Sequence, residues 1–153
     1  ISFLTKTGVF REGEIKTRAN VMLERYIKCR EIEFRTQAAM VQKQVMPCAI
    51  SYKAELSEGI RKVKDAGGDV SVETDLLKKL GDVTKTLAGK IETLMSSYDK
   101  YHHSLNEEGV ADKVAKELMP LSVEIANLCN QVEEIVPEDN WPLPKYYDML
   151  FIR

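Results

Sequence analysis

The side chains with the clearest chemical potential are two adjacent histidines, His102 and His103. Asp99 lies one helical turn before His102, so a carboxylate and an imidazole would share one helix face. A dinuclear metal site in a helical bundle needs two such pairs, with further carboxylates projecting inward from the other helices. The apolar seams described below hold no carboxylate. We therefore predict no metal-ligating residue and interpret the histidines as a solvated helix end.

Fragments of catalytic motifs are present but incomplete. Ser97-x-x-Lys100 and Lys6-Thr7-Gly8 each match part of the penicillin-recognising signature. That signature requires the opposite order and an S-D-N triplet between the two parts, which this chain lacks. Gly67-Gly68 is not followed by the Lys-Ser/Thr of a phosphate-binding loop, and no nucleophile is recognisable beside an oriented base. We predict no catalytic and no cofactor-binding residue, and no enzymatic activity of the chain by itself.

Three arginines recur every seven residues, at Arg11, Arg18 and Arg25. Glutamates lie among them and no aromatic stacking platform accompanies them, which disfavours nucleic-acid binding. Two interpretations stay open, a solvated ion-pair face and a stripe that contacts another subunit. The chain has 22 basic and 24 acidic side chains, a net charge of -2, which also argues against a polyanion partner.

The charge is unevenly distributed along the sequence. Residues 11–45 hold eight basic and five acidic side chains, for +3, whereas residues 107–153 hold four basic and ten acidic, for -6. This asymmetry could steer the C-terminal part towards a basic surface or pair the two ends of one domain.

The three cysteines, Cys29, Cys48 and Cys129, are odd in number and far apart, without a C-x-x-C pair. Secreted scaffolds of small size use even and dense cysteines, so we predict a reducing, cytoplasmic setting and interpret these cysteines as small buried hydrophobes. No run of 18 apolar residues occurs, so we predict no membrane span and no membrane partner.

The hydrophobic pattern predicts an all-α fold in a single domain of 153 residues. Apolar residues at steps of three, four or seven, among them Met22, Phe34 and Val63, would share one face of a first helix over about 11–66. Gly67-Gly68-Asp69 ends this helix. A helix of that length must find partners along its whole extent, or its far end projects. Pro47 removes a hydrogen bond and predicts a kink or break near Met46; the sequence leaves open whether the helix continues through it.

Two further helices follow, over about 71–101 and 108–136, with Ser71 and Asn106 as expected N-caps. Their apolar residues alternate in steps of four and three, which is typical of a packed helical seam. Gly81 and Gly89 would permit close approach of a neighbour, and Pro120 predicts a second kink. Together the elements predict an antiparallel three-helix bundle over residues 11–136, with one very long, possibly Pro-kinked first helix.

The two ends of the chain differ from this bundle. Residues 1–10 alternate apolar and polar, and the chain starts at Ile1 without a Met, so we expect a junction segment that continues from an upstream part of a longer chain. Residues 137–153 are predicted to form an extended, aromatic docking tail, because Pro142 and Pro144 push their predecessors out of the α region. The tail carries four of the 11 aromatic residues, Trp141, Tyr146, Tyr147 and Phe151. The receiving surface of Trp141–Phe151 stays open.

These ends resemble a known family. Phe3-Leu4-Thr5-Lys6-Thr7-Gly8-Val9-Phe10, followed by a charged helix entry, looks like the junction at which type III glutamine synthetases leave their catalytic domain. The long helix with Val45-Met46-Pro47 is similar to the next element of that family. The ending Trp141-Pro142-Leu143-Pro144-Lys145-Tyr146 resembles the W-P-x-P-x-Y of the family C-terminus, although Tyr147 is bulkier than the family pattern.

The resemblance implies an ATP-dependent ligase that joins ammonia to glutamate, with Mg or Mn, in a homo-oligomer of two stacked hexameric rings. The family's catalytic, metal and nucleotide residues lie upstream, so none is transferred to a position here. This segment would then be a C-terminal helical domain with structural, assembly or regulatory duties. The alternative hypothesis is a free-standing helical adaptor or scaffold module that dimerises through its long helix.

Overall fold

The structure is a computed structural model that describes residues 11–144, together with Phe3, Lys6, Gly8, Met149 and Leu150. The fold of this part is all-helical, as the hydrophobic pattern predicts, with three helices of which the first is very long. Most of the junction segment 1–10 lies outside the described residues. Gly8 lies in a turn with φ of 70°.

The first helix runs without interruption for 54 residues, about 80 Å at 1.5 Å per residue. It consists of an α-helical part Glu12–Met40, a π-helical turn Val41–Val45 and a second α-helical part Met46–Asp65. Pro47 lies directly after the π turn. A proline ring clashes with the carbonyl four residues earlier in a regular α-helix, and a π turn, which holds one extra residue, changes that spacing. The predicted break near Met46 does not occur, because the helix continues through this wider turn.

The third helix uses the same arrangement around its own proline. It consists of Glu107–Lys113, a π turn Val114–Leu118 and Met119–Glu133, with Pro120 directly after the π turn. The two turns share the sequence pattern V-x-K-x-[V/L]-M-P. Between them along the chain lies the second helix, Ser71–Ser104, and a short 3₁₀ turn, Glu138–Asn140, follows the third.

The residues between the first and second helices show where one helix ends and the next begins. Gly67 takes a φ of 81°, and the Gly68 N–H donates to the Val63 carbonyl at 2.9 Å, which ends the first helix as predicted. The N-cap of the second helix is Val70, and not Ser71, and it makes no side-chain cap hydrogen bond. The carboxylate of the preceding Asp69 accepts hydrogen bonds from the Ser71 N–H at 3.2 Å and hydroxyl at 2.8 Å.

The connection between the second and third helices is shorter than predicted. His102 and His103 follow the predicted end of the second helix at residue 101, but in the structure they belong to its last helical turn. Only Leu105 and Asn106 separate the two helices, and Asn106 is the predicted cap, because its Oδ1 accepts from the Gly109 N–H at 2.9 Å.

The core lies along the middle of the first helix. All three helices contribute to it, and its largest fully buried side chains are Tyr98, Phe34, Leu80, Leu87, Leu94, Leu118, Ile125, Val45, Val114 and Val132. The first buried residue of the first helix is Ile27, so residues 11–26 are exposed or half-buried. Met22 and Val63, which the periodicity assigned to the core face, are 72% and 39% exposed.

Specific polar contacts fix the helices against one another. Gln37 and Ser122 exchange two hydrogen bonds, of 2.9 and 2.8 Å, between the first and third helices. Lys90 donates to Glu124 at 2.5 Å between the second and third. The predicted close approach at Gly81 and Gly89 is wrong within the described part of the chain, since an added Cβ at either would meet no atom within 4 Å.

Candidate functional site

A small polar cluster lies where the first and second helices meet. Arg35 donates from Nε to Glu31 at 3.0 Å and lies 3.5 Å from the Asp99 carboxylate. The Tyr98 ring packs edge-on against Phe34, with 6.2 Å between centroids, and the Arg35 guanidinium lies 6.0 Å from the Tyr98 centroid. The cluster therefore joins the two helices through one aromatic pair and one bridging arginine.

The hydroxyl of Tyr98 is the unusual atom of this cluster. It is buried and has no hydrogen-bond partner of good geometry among the described residues. Burial, reinforced by the nearby Glu31 carboxylate, raises the pKa of Tyr98 to about 12. Although burial opposes it, the hydrogen bond from Arg35 holds the pKa of Glu31 below its usual value. The phenol is thus held neutral beside a carboxylate that stays ionised.

The histidines do not assemble into a ligand set. His102 and His103 are exposed, and the His102 ring lies 5.8 Å from that of Tyr98. His103 Nδ1 lies 2.6 Å from the Asp99 carbonyl, while the Asp99 carboxylate faces Arg35. In the part of the chain that the structure describes, no three His, Cys, Asp or Glu side chains are grouped to hold a metal ion.

The fragments of catalytic motifs are also separate. Lys100 contributes its carbonyl to a hydrogen bond from Ser104 at 2.7 Å within the second helix. Lys6 is exposed, and Thr7 lies outside the described residues. Arg11, Arg18 and Arg25 are exposed along the first helix.

The cysteines differ from the prediction that all three are buried. Cys29 is exposed, because it lies on the side of the first helix that faces away from the core; Cys48 and Cys129 are half-buried, and all three are free thiols. Burial raises the pKa of Cys129 to about 11 and raises that of Cys48 as well. Neither half-buried thiol is therefore an activated nucleophile.

The beginning of the C-terminal segment contacts the first helix. The Cys48 thiol donates to the Asn140 carbonyl at 3.0 Å, and the Asn140 side chain donates to Glu55 at 3.2 Å. Trp141 and Leu143 are half-buried against the core. The predicted docking of Tyr146, Tyr147 and Phe151 falls outside the described residues.

An apolar groove of about 550 Å³ runs between the first and third helices, lined by Ile32, Met40, Val45, Ala126, Cys129 and Leu143 among others. Its chemistry suits an apolar side chain more than a polar substrate. No helix within the described ranges is both long enough and apolar enough to cross a membrane.

Comparison with known proteins finds similarity to one enzyme family. Residues 1–64 match the family model of the glutamine synthetase C-terminal domain, a span that covers the junction segment and nearly all of the first helix. A glutamine synthetase from Bacteroides fragilis is 23% identical over 151 residues, which is 95% of this chain and 21% of the relative. A type-3 glutamine synthetase from Dictyostelium discoideum is 21% identical over 159 residues, which is 100% of this chain and 22% of the relative.

The chain is similar to the C-terminal domain of glutamine synthetases, including a type-3 enzyme. A glutamine synthetase from Butyrivibrio fibrisolvens aligns in the same way, at 25% identity over 99% of this chain and 22% of the relative. The chain thus spans about a fifth of the length of the curated relatives that it matches. The family resemblance predicted from the sequence is confirmed.

One surface feature was not found from the sequence. Ile32 and Met40 are apolar but exposed, and both line the groove between the first and third helices. In the sequence this feature is a second row of residues spaced by four and three. Met22 belongs to this row but also fits the apolar periodicity of the predicted first helix, so the periodicity alone does not separate the two rows.

Proposed function

We propose that this chain acts as the C-terminal helical domain of a longer glutamine synthetase, in which it serves assembly or regulation and carries no part of the chemistry. The observation that carries this proposal is the alignment of 95–100% of the chain with only 21–22% of each relative. The longer protein would ligate ammonia to glutamate at the expense of ATP, in the cytoplasm.

The expected ATP and Mg or Mn would bind outside this segment. The described carboxylates and imidazoles do not fit a metal centre, because Asp99 is engaged by Arg35 and His102 lies against Tyr98. For this segment we still predict no catalytic, cofactor-binding or metal-ligating residue.

Within the domain, we propose three parts: a junction over residues 1–10, an antiparallel three-helix bundle over 11–136 and a docking tail over 137–153. The antiparallel packing of the second and third helices is supported by the pairing of Lys90 with Glu124 and of Tyr101 with Glu117, in which rising numbers on one helix meet falling numbers on the other. Docking of the tail is supported by the half-buried Trp141 and Leu143.

The partners would be the upstream catalytic domain of the same chain and further subunits of a homo-oligomer of stacked hexameric rings. The exposed apolar side chains of the first helix, including Met22 and Ile32, favour a protein contact there. The same exposed side chains also favour a second candidate function, that of a free-standing adaptor that dimerises through the long helix.

The test is a ligase assay on the purified 153-residue chain with glutamate, ammonia, ATP and Mg²⁺. We expect a helical circular-dichroism spectrum, cooperative unfolding and no glutamine formation above the protein-free control. Glutamine formation that scales with the concentration of the chain would contradict the proposal, because the chemistry would then lie in this segment.

A further inference from the structure

The outer face of the first helix carries a regular row of exposed side chains. They follow one another at steps of four and three residues, and all eight are exposed: Arg18, Met22, Arg25, Cys29, Ile32, Thr36, Met40 and Lys43. We call this row the outer seam. Steps of four and three keep side chains on one side of a helix and are the spacing with which a helix packs against another helix.

The outer seam is apolar and basic. Met22 and Ile32 are 72% and 66% exposed, which is unusual for large apolar side chains. Arg18, Arg25 and Lys43 add positive charge, and no carboxylate occupies any of the eight positions. A surface of this kind suits a helix that is apolar along one row and negatively charged beside it.

The third helix presents such a row, which we call the acidic seam: Glu117, Leu121, Glu124, Leu128 and Gln131. Its spacing is again four, three, four, three. The glutamates are exposed, with 55% of the Glu124 side chain accessible, while Leu121 and Leu128 are half-buried at the edge of the core.

We propose that the outer seam of one copy of this chain binds the acidic seam of a second copy, with the two helices parallel. One register matches charge and polarity together: Arg18 would face Glu117, Met22 would face Leu121, Arg25 would face Glu124, and Cys29 would face Leu128. The match follows from a constant difference of 99 residues between the two rows.

Other partners within the same chemistry fit less well. Two outer seams packed on each other would bring basic groups together, which is unfavourable. The third helix of the same copy contacts a different side of the first helix, through Gln37 and Ser122. The proposed contact therefore joins two different surfaces, so each copy offers both seams and the association can extend or close into a ring.

The glutamates of the acidic seam already accept hydrogen bonds in their own copy, Glu124 from Lys90, and Glu117 from Tyr101 and Lys113. Each carboxylate therefore already forms an ion pair with one lysine. A carboxylate has acceptor capacity for several donors. Arginine donors from a second copy can therefore be added without loss of these contacts. The contact goes beyond the proposed function and does not depend on any ligase activity.

The test uses sedimentation velocity on the 153-residue chain over a range of concentrations, at low and high salt. We expect the chain to self-associate, and association to weaken at high salt because charged groups on the seams are screened. Arg25→Glu and Glu124→Arg should each weaken association at least about tenfold, since each places like charges opposite one another. Arg61→Glu, an exposed charge reversal outside the seam, is the matched control. Circular dichroism verifies that each variant remains folded.

An equimolar mixture of the two seam variants is the decisive sample. The carboxylate introduced by Arg25→Glu in one chain would then face the guanidinium introduced by Glu124→Arg in the other. We therefore expect the mixture to associate more tightly than either variant alone. A chain that stays monomeric at all concentrations, an Arg25→Glu chain that behaves like Arg61→Glu, or a mixture without recovery would each overturn the proposal.

Discussion

At the scale of single residues, the most informative side chain is Tyr98. Its ring belongs to the core, where it meets Phe34 edge-on, whereas its hydroxyl is buried near Glu31 without a hydrogen bond of good geometry among the described residues. A buried polar group that lacks a hydrogen bond costs stability. The ring therefore stabilises the fold and the hydroxyl works against it.

This division predicts the behaviour of Tyr98→Phe. At neutral pH we expect its free energy of unfolding to equal that of the wild type or to exceed it by about 1 kcal/mol, because the unpaired hydroxyl is removed and the ring stays. Between about pH 10 and 12 the advantage should grow by about 2–3 kcal/mol, since the unfolded tyrosine ionises near pH 10 and the folded one near 12. Urea unfolding at several pH values measures both effects.

Tyr98→Ala is the control for packing, and it should cost about 3–5 kcal/mol at every pH because the ring is lost. A Tyr98→Phe variant that is clearly less stable than the wild type at pH 7 would show that the hydroxyl has a hydrogen bond after all.

At the scale of secondary-structure elements, each of the two π turns allows a proline to lie inside a long helix. Each turn precedes the sequence Met-Pro, at Pro47 and at Pro120, and buries its first and last residues in the core. A π turn holds one residue more than an α turn. The extra residue changes the spacing before the proline while the helix beyond it keeps its orientation to the core.

This account predicts the effect of deleting Gln44. The deletion should convert the first π turn to a regular α turn and bring the Pro47 ring against a backbone carbonyl, at a cost of about 3 kcal/mol. Combining the deletion with Pro47→Ala should recover most of that loss, because the downstream core residue Ala49 keeps its orientation. Thermal unfolding followed by circular dichroism compares the two variants.

Deletion of Glu33, which is exposed in the regular α-helical part, is the matched control. It rotates Ile27 relative to Phe34 by about 100°, one residue of a 3.6-residue turn, and should unfold the bundle. A combined Gln44-deletion and Pro47→Ala variant as unstable as this control would refute the proposed role of the π turn.

The same helices show how much of the fold can be predicted from the sequence. Spacing of three and four residues predicted every helix and most of the core, including Phe34 and the whole second-helix row from Leu80 to Tyr98. Spacing reports the direction of a side chain and not whether another helix covers it. Met22 was therefore assigned to the core although the bundle does not reach it, and Cys29 was expected to be buried. The low helix propensity of proline predicts an irregularity near Pro47 and Pro120, but it does not distinguish a break in the helix from a π turn.

At the scale of the whole molecule, the net charge of -2 conceals two surfaces of opposite sign. The first helix is basic along its outer seam and the third is acidic along its own. No polar cluster among the described residues has the composition of a catalytic centre, and the candidate surfaces suit protein contacts. Together with the similarity of residues 1–64 to the glutamine synthetase C-terminal domain, these surfaces support the assembly role that we propose for the domain.

The measurement that tests this central claim most directly uses the Bacteroides fragilis relative, with the segment that aligns over 151 residues either removed or replaced by this chain. Sedimentation and ligase turnover are recorded for the intact, shortened and chimeric proteins. We predict that the shortened protein sediments as a smaller species than the intact one and that the chimera regains the larger size, at least in part. A shortened protein that assembles and turns over like the intact enzyme would contradict an assembly role for this domain.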